Sequence, residues 1–227
     1  MTDCMLPHNA AMGSSSVFGG GIYAEGGAIE MTRCQLSANK SKGGGGMYAK
    51  NTILTMTDCQ LDGNDAGSGS GGGAYAEGGS FALSGSTMSG NATGDSGGGA
   101  YIKDCAFTMT DSTLTGNTAQ YNGGGGAYVA GGSFTMKGSS RIIPSSAGEE
   151  NQPGKNEVYL DNGAKITLPA VLTGTGTAAR ITVPHNKYLS TTQVLDGSKV
   201  GTEYGKFTVT PKSLGGGSTQ VWTINNT

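Results

Sequence analysis

Met56-Thr-Asp-Cys-Gln-Leu-Asp-Gly-Asn64 is preceded by Met31-Thr-Arg-Cys-Gln-Leu-Ser-Ala-Asn39. It is followed by Leu83-Ser-Gly-Ser-Thr-Met-Ser-Gly-Asn91 and by Met109-Thr-Asp-Ser-Thr-Leu-Thr-Gly-Asn117. The chain opens on a further copy, Met1 to Asn9. Working outward, a second block, Gly-Gly-Gly-x-Tyr, ends at Tyr23, Tyr48, Tyr75, Tyr101 and Tyr128, and a glycine-poor version ends at Tyr159. A third apolar position lies two residues before each new start, at Ile29, Leu54, Phe81, Phe107, Phe134 and Ile166. Starts at residues 31, 56, 83, 109 and 136 are 25, 27, 26 and 27 residues apart. A period of about 26 residues is the signature of a repeat fold.

The local pattern assigns that period to strands. In Gly73-Ala-Tyr-Ala-Glu77 and Ser80-Phe-Ala-Leu-Ser84 apolar and polar residues alternate, with no helical stripe, and the runs are broken by Gly-Gly, Thr-Asp or Gly-Asn. Each repeat therefore reads as three short strands. One such unit cannot bury its own inner face, but units coiled over one another pair every strand with its equivalent about 4.8 Å away. The expectation is an all-β chain, a right-handed single-stranded parallel β-helix. The right hand is favoured because the strict hexapeptide period of left-handed coils is absent. Regular turns are expected over residues 1–168, with irregular final turns and a C-terminal β cap over 169–227.

Composition agrees with a solenoid and excludes several classes. Forty-three glycines in 227 residues is nearly one in five, against about 7% in ordinary proteins. Six prolines and no three-residue glycine phase exclude collagen. A net charge of −2 without basic runs gives no electrostatic reason for nucleic acid or an anionic membrane as partner. No run of 18 apolar residues occurs, so no transmembrane helix is expected.

Stacking places like residues in rows. Interior rows are expected at Ile29, Leu54, Phe81, Phe107, Phe134 and Ile166; at Met31, Met56, Leu83, Met109, Met136 and Leu168; and at Leu6, Leu36, Leu61, Met88 and Leu114. Asn9, Asn39, Asn64, Asn91 and Asn117 form a structural ladder at a bend, expected to hold a left-handed corner. Tyr23, Tyr48, Tyr75, Tyr101, Tyr128 and Tyr159 point outwards and are the candidate ligand-binding residues, since tyrosine joins apolar area to a hydroxyl. Glu25, Lys50, Glu77 and Lys103 follow them as a row of alternating charge. Cys4, Cys34 and Cys59 share one repeat position that later becomes Ser86 and Ser112, and they read as small buried thiols.

The Gly-Gly-Gly-[Ile/Met/Ala]-Tyr and [Leu/Met]-x-x-Asn blocks resemble the paired repeats of the chlamydial polymorphic outer-membrane proteins, and are similar to surface repeat proteins of spirochaetes. The resemblance covers residues 1–168. It implies a right-handed β-helical passenger used in adhesion, on the outer cell surface or secreted, with a host protein or glycan as partner.

Chemistry is sparse. His8 and His185 have no adjacent nucleophile pattern. Asp3, Asp58 and Asp111 recur at a turn but alternate with Arg33, Gly85 and Gly138, so no acid pair is forced together. Asp62, Asn64 and Asp65 offer calcium-type donors, yet the reading assigns no metal, no cofactor and no catalytic residue. The competing class is a fragment of a polysaccharide lyase or hydrolase. A third class is a threonine-rich ice- or surface-binding face, but Thr2, Thr32, Thr57 and Thr110 form one file rather than a two-file Thr-x-Thr lattice. Phe207 and Trp222 are expected to plug the C-terminal end, and Ser145 to Lys155 to form a solvent loop. Met1 occupies an interior repeat position, so association through an uncapped N-terminal end is expected.

Overall fold

The computed structural model describes residues 1–13, 17–121, 123–143, 158–189, 191–215, 218–220 and 223–224. The chain winds as a right-handed parallel β-solenoid of about seven turns. Three sheets run along its length, each taking one strand from successive turns. The tyrosine sheet has eight strands, from Ile22–Glu25 to Phe207–Val209; the phenylalanine sheet has seven, from Ala28–Thr32 to Leu195–Asp196; the leucine sheet has six, from Met5–Pro7 to Arg141–Ile143. A right-handed path between parallel strands is what the twist of L-residue strands favours.

Register follows the repeat residue for residue. Leu36 pairs with Leu61, Met88 with Leu61 and Leu114, and Phe107 with Phe81 and Phe134. A slip by one residue would turn every apolar side chain outwards, so burial fixes the pairing. Phe81, Phe107 and Phe134 stack inside at 5.2 and 4.9 Å between centroids. Met31, Met56, Leu83, Met109 and Met136 fill the next interior row, and all are buried. The inward positions of the tyrosine sheet mix small side chains, Ala49, Ala74, Ala76, Ala100 and Ala127, with the larger Met47, Ile102 and Val129, all buried.

Successive turns approach most closely just before the tyrosine strands, and the glycine triplet Gly71-Gly72-Gly73 shows why. Gly71 sits at φ +75°, a left-handed turn that glycine enters at no steric cost. A Cβ on Gly72 would lie 2.4 Å from the Gly98 carbonyl oxygen and 2.5 Å from that of Ala92, both in the next turn. A Cβ on Gly73 would lie 2.6 Å from the Gly99 oxygen and 2.7 Å from Cε of Met88. One glycine makes the turn and two let backbone touch backbone.

Past Leu168 the coil continues with longer excursions. Ala179–Thr182 joins the tyrosine sheet on Val158–Leu160, and Phe207–Val209 joins it in turn. Leu195–Asp196 extends the phenylalanine sheet. The antiparallel hairpin of Lys212–Gly215 and Ser218–Gln220 follows. Phe207 is buried there, while Trp222 and the Ser145–Lys155 segment lie outside the described residues. Between the last strands, Val200–Glu203 forms a helical turn whose Glu203 is buried, accepts the Leu172 N–H at 3.2 Å and pairs with Lys206 at 2.9 Å.

Candidate functional site

Three columns of polar side chains run the length of the coil. The asparagine column lies inside. Each Nδ2 donates to a carbonyl of the preceding turn (Asn39 to Leu6 at 2.8 Å, Asn64 to Leu36 at 3.0 Å, Asn91 to Leu61 at 2.8 Å, Asn117 to Met88 at 3.0 Å), and those of Asn39, Asn64 and Asn91 donate also to the next Oδ1. Each Oδ1 accepts the backbone N–H and the Nδ2 of the preceding asparagine, as between Asn64 and Asn91, both at 2.9 Å. At Asn39, Asn64 and Asn91 two donors and two lone pairs are thus all matched, as a buried amide requires. The expected left-handed corner is displaced by one residue. Positive φ belongs to His8, Ala38, Gly63, Gly90 and Gly116, not to the asparagines that follow them. Inverting the preceding residue is what turns the amide inwards.

The second column holds Cys4, Cys34, Cys59, Ser86, Ser112 and Ser140. Cys34 Sγ accepts the Cys4 N–H at 3.5 Å and Cys59 Sγ the Cys34 N–H at 3.4 Å. Ser86 Oγ accepts the Cys59 N–H at 3.0 Å and Ser112 Oγ the Ser86 N–H at 3.1 Å. All four cysteines are free, and Cys34, Cys59 and Cys105 are buried. Burial pushes the Cys59 thiol pKa up and that of Cys105 up to about 11.

The recurring acids resolve into the residue just before this column. Asp3, Arg33, Asp58, Gly85, Asp111 and Gly138 all have φ between +50° and +59°. Aspartate and glycine enter that region readily. Arg33 is held there by a two-bond pair to Asp3, 2.8 Å each. Asp111 Oδ1 accepts the N–H and Oγ–H of Ser139 at 2.8 and 3.1 Å. Asp62, Asn64 and Asp65 do not converge: Asp62 accepts from Ser89 Oγ, Asp65 from the Gly67 N–H, and Asn64 is committed to its ladder. Among the described residues no cluster of three or more His, Cys, Asp or Glu is placed to hold a metal.

The tyrosine column lies outside. Its six rings are in register and stack at 5.4, 4.8, 4.9, 5.4 and 4.8 Å, with interplanar angles from 1° to 17°. Face-to-face stacking occupies the ring faces, so the column offers a partner mainly ring edges and hydroxyls. Tyr23, at the N-terminal end of the column, is 53% exposed; Tyr48 is only 8% exposed because Phe18 lies on it at 4.7 Å; Tyr75, Tyr101, Tyr128 and Tyr159 are half-buried. Phe18 stands outside the repeat, and no periodic signal marks it.

Beside the rings runs the charged row. Tyr23 donates to Glu25 at 3.0 Å, Tyr75 to Glu77 at 3.1 Å and Tyr128 to Asp161 of the next turn at 3.0 Å. Lys103 pairs with Glu77 at 3.0 Å and Lys50 with Glu25 at 3.7 Å. The Lys103 hydrogen bond holds the Glu77 carboxyl below its usual range. Burial, reinforced by the neighbouring carboxylate, pushes the Tyr75 and Tyr128 hydroxyls well above the ordinary phenol value.

Two further surfaces complete the exterior. The single threonine file read from the sequence is doubled on the phenylalanine sheet: Thr32, Thr57, Ser84 and Thr110 stand beside Thr55, Ala82, Thr108 and Thr135. Strand alternation, which puts residues i and i+2 on one face, makes the second file. Ala82 and Glu30 interrupt it. In the C-terminal turns a cavity of about 400 Å³ is lined by Leu160, Ala164, Val183, Pro184, Lys165, Lys187 and Gln193, and among the described residues no carboxylate lines it.

Residues 12–167 match a family model described as a right-handed beta helix region. No curated protein and no solved structure shows significant similarity to the chain. No helix among the described residues is long and apolar enough to cross a membrane.

Proposed function

The chain belongs to the right-handed β-helix family, and from that premise we propose that it is a non-catalytic, adhesin-like passenger or stalk, displayed on the cell surface or secreted. One observation carries the reading. An in-register row of tyrosine edges and hydroxyls, three of them partnered by Glu25, Glu77 and Asp161, repeats at six successive rungs of the coil. Repetition of a weak contact supplies avidity without a deep pocket. The location outside the cell is supported by the passenger-repeat resemblance of the Gly-Gly-Gly-x-Tyr and Asn blocks. A host protein or glycan is the partner such a row suits, since tyrosine edges join apolar contact to hydrogen bonding.

The carboxylates favour this reading over a polysaccharide-active enzyme. Asp3, Asp58 and Asp111 shape turns, and the cavity in the C-terminal turns lacks the acid pair that glycoside hydrolysis uses. The test is a glycan and extracellular-matrix array probed with wild type and with Tyr23, Tyr75, Tyr101 and Tyr128 all changed to Phe. That variant keeps the stack and removes hydroxyls. Loss of the wild-type signals is expected. Unchanged binding would remove the row from consideration, and degradation of an acidic polysaccharide would favour the enzyme.

A further inference from the structure

Six phenol rings in one stack are an unusual electronic object, whatever the row binds. Neighbouring centroids are 4.8–5.4 Å apart, so adjacent π systems are in contact from Tyr23 to Tyr159. Removing one electron from a phenol makes its hydroxyl proton strongly acidic. The neutral phenoxyl radical forms easily only where a base takes that proton in the same step. Tyr23, Tyr75 and Tyr128 each already donate to a carboxylate, at 3.0, 3.1 and 3.0 Å.

We propose that the tyrosine column is an electron-donor site for diffusible one-electron oxidants, in which oxidation at the exposed Tyr23 is passed inwards along the stack to Tyr75 and Tyr128. The balance is simple. Tyr23 gives an electron to the oxidant and its proton to Glu25, leaving a phenoxyl radical, a carboxylic acid and a reduced oxidant. Tyr75 then gives an electron through the Tyr48 ring to Tyr23, its proton passing to Glu77 while Glu25 returns the first proton to Tyr23. The same exchange moves the vacancy through Tyr101 to Tyr128, with Asp161 as acceptor. The radical comes to rest on half-buried rings, away from the exposed end.

Tyr121 provides an internal control, because it is 76% exposed and takes part in no ring stack among the described residues. The intact chain is exposed to photogenerated tris-bipyridyl ruthenium(III), and oxidised tyrosines are mapped by peptide mass spectrometry. Direct attack predicts modification in proportion to exposure, with Tyr23 and Tyr121 comparable. The relay predicts Tyr23 modified at least threefold less than Tyr121, with product on Tyr75 and Tyr128. Tyr75→Phe keeps the stack, and Glu77→Gln keeps a hydrogen-bond acceptor but not a base. Each should raise Tyr23 modification towards that of Tyr121, with circular dichroism unchanged. Equal modification of Tyr23 and Tyr121 in wild type, or no response to both substitutions, overturns the proposal.

Discussion

Asn64 and Asn91, 27 residues apart, are joined by two hydrogen bonds to a single atom: the backbone N–H and the Nδ2 of Asn64 both donate to Oδ1 of Asn91 at 2.9 Å. Replacing Asn91 by Ala therefore strands two donors on Asn64 and removes the Nδ2 that the Leu61 carbonyl and Asn117 Oδ1 accept, Asn117 keeping only the backbone N–H of residue 91. Each buried unsatisfied group costs about 1–3 kcal/mol, so Asn91→Ala should destabilise the chain by about 4 kcal/mol or more. Asn9→Ala, at the exposed end of the same ladder, should cost about 1 kcal/mol. Urea denaturation of both variants checks the ratio. Equal losses would mean that the ladder does not draw its strength from burial.

The glycines separate in the same manner. Gly63 has φ +62° and nothing within 4 Å of a built Cβ, and Ala38 already occupies the equivalent place with φ +53°. Gly63→Ala should cost only the left-handed penalty, about 1–2 kcal/mol. Gly73→Ala drives a methyl against the Gly99 oxygen, Met88 and Asn91, and overpacking of that kind should cost about 3 kcal/mol or more. Thermal melting of the pair, with far-UV circular dichroism to check that the coil persists, distinguishes the two roles.

That contrast also marks how far the sequence could be read. Period, strand count per turn, the facing of each row and the ladder at Asn39 to Asn117 are all properties of residues 25 to 27 apart, and identical spacing makes them visible. What stays hidden is set by close contact between different parts of the repeat or by residues outside it. Gly71, Gly72 and Gly73 look alike until the next turn supplies Gly98, Ala92, Met88 and Asn91. The left-handed residue is His8 or Ala38 as readily as glycine, so composition places it one position late. Phe18 covers Tyr48 from a segment that occurs once. The outward file at Thr55 and Thr108 required alternation to be followed along one strand as well as between turns.

The column from Cys4 to Ser140 predicts a silent substitution. Ser86 and Ser112 accept the backbone N–H of the turn before, as Cys34 and Cys59 do. Cys59→Ser should therefore change stability by less than about 1 kcal/mol, whereas Cys59→Ala, which leaves the Cys34 N–H without an acceptor, should cost about 1–3 kcal/mol. Denaturation midpoints of the two variants give the comparison. A serine as damaging as alanine would show that sulfur volume, and not hydrogen bonding, sets the column.

The buried thiols and phenols make the fold sensitive to alkali. Burial raises the Cys105 thiol from an ordinary value of 9.0 to about 11, and it raises the Tyr75 and Tyr128 hydroxyls in the same direction. A group whose pKa is higher folded than unfolded binds more protons in the native state, so its contribution is complete below the unfolded pKa and is lost as pH rises through the folded one. Stability should be flat from pH 7 to about 9, then fall towards pH 11 as the unfolded chain ionises first. Cys105→Ala should flatten the first part of that fall while lowering stability at pH 7 through the lost packing. Urea midpoints at intervals between pH 7 and 11 follow it, and a wild-type curve that stays level to pH 11 would mean these groups ionise as freely in the coil as in the unfolded chain.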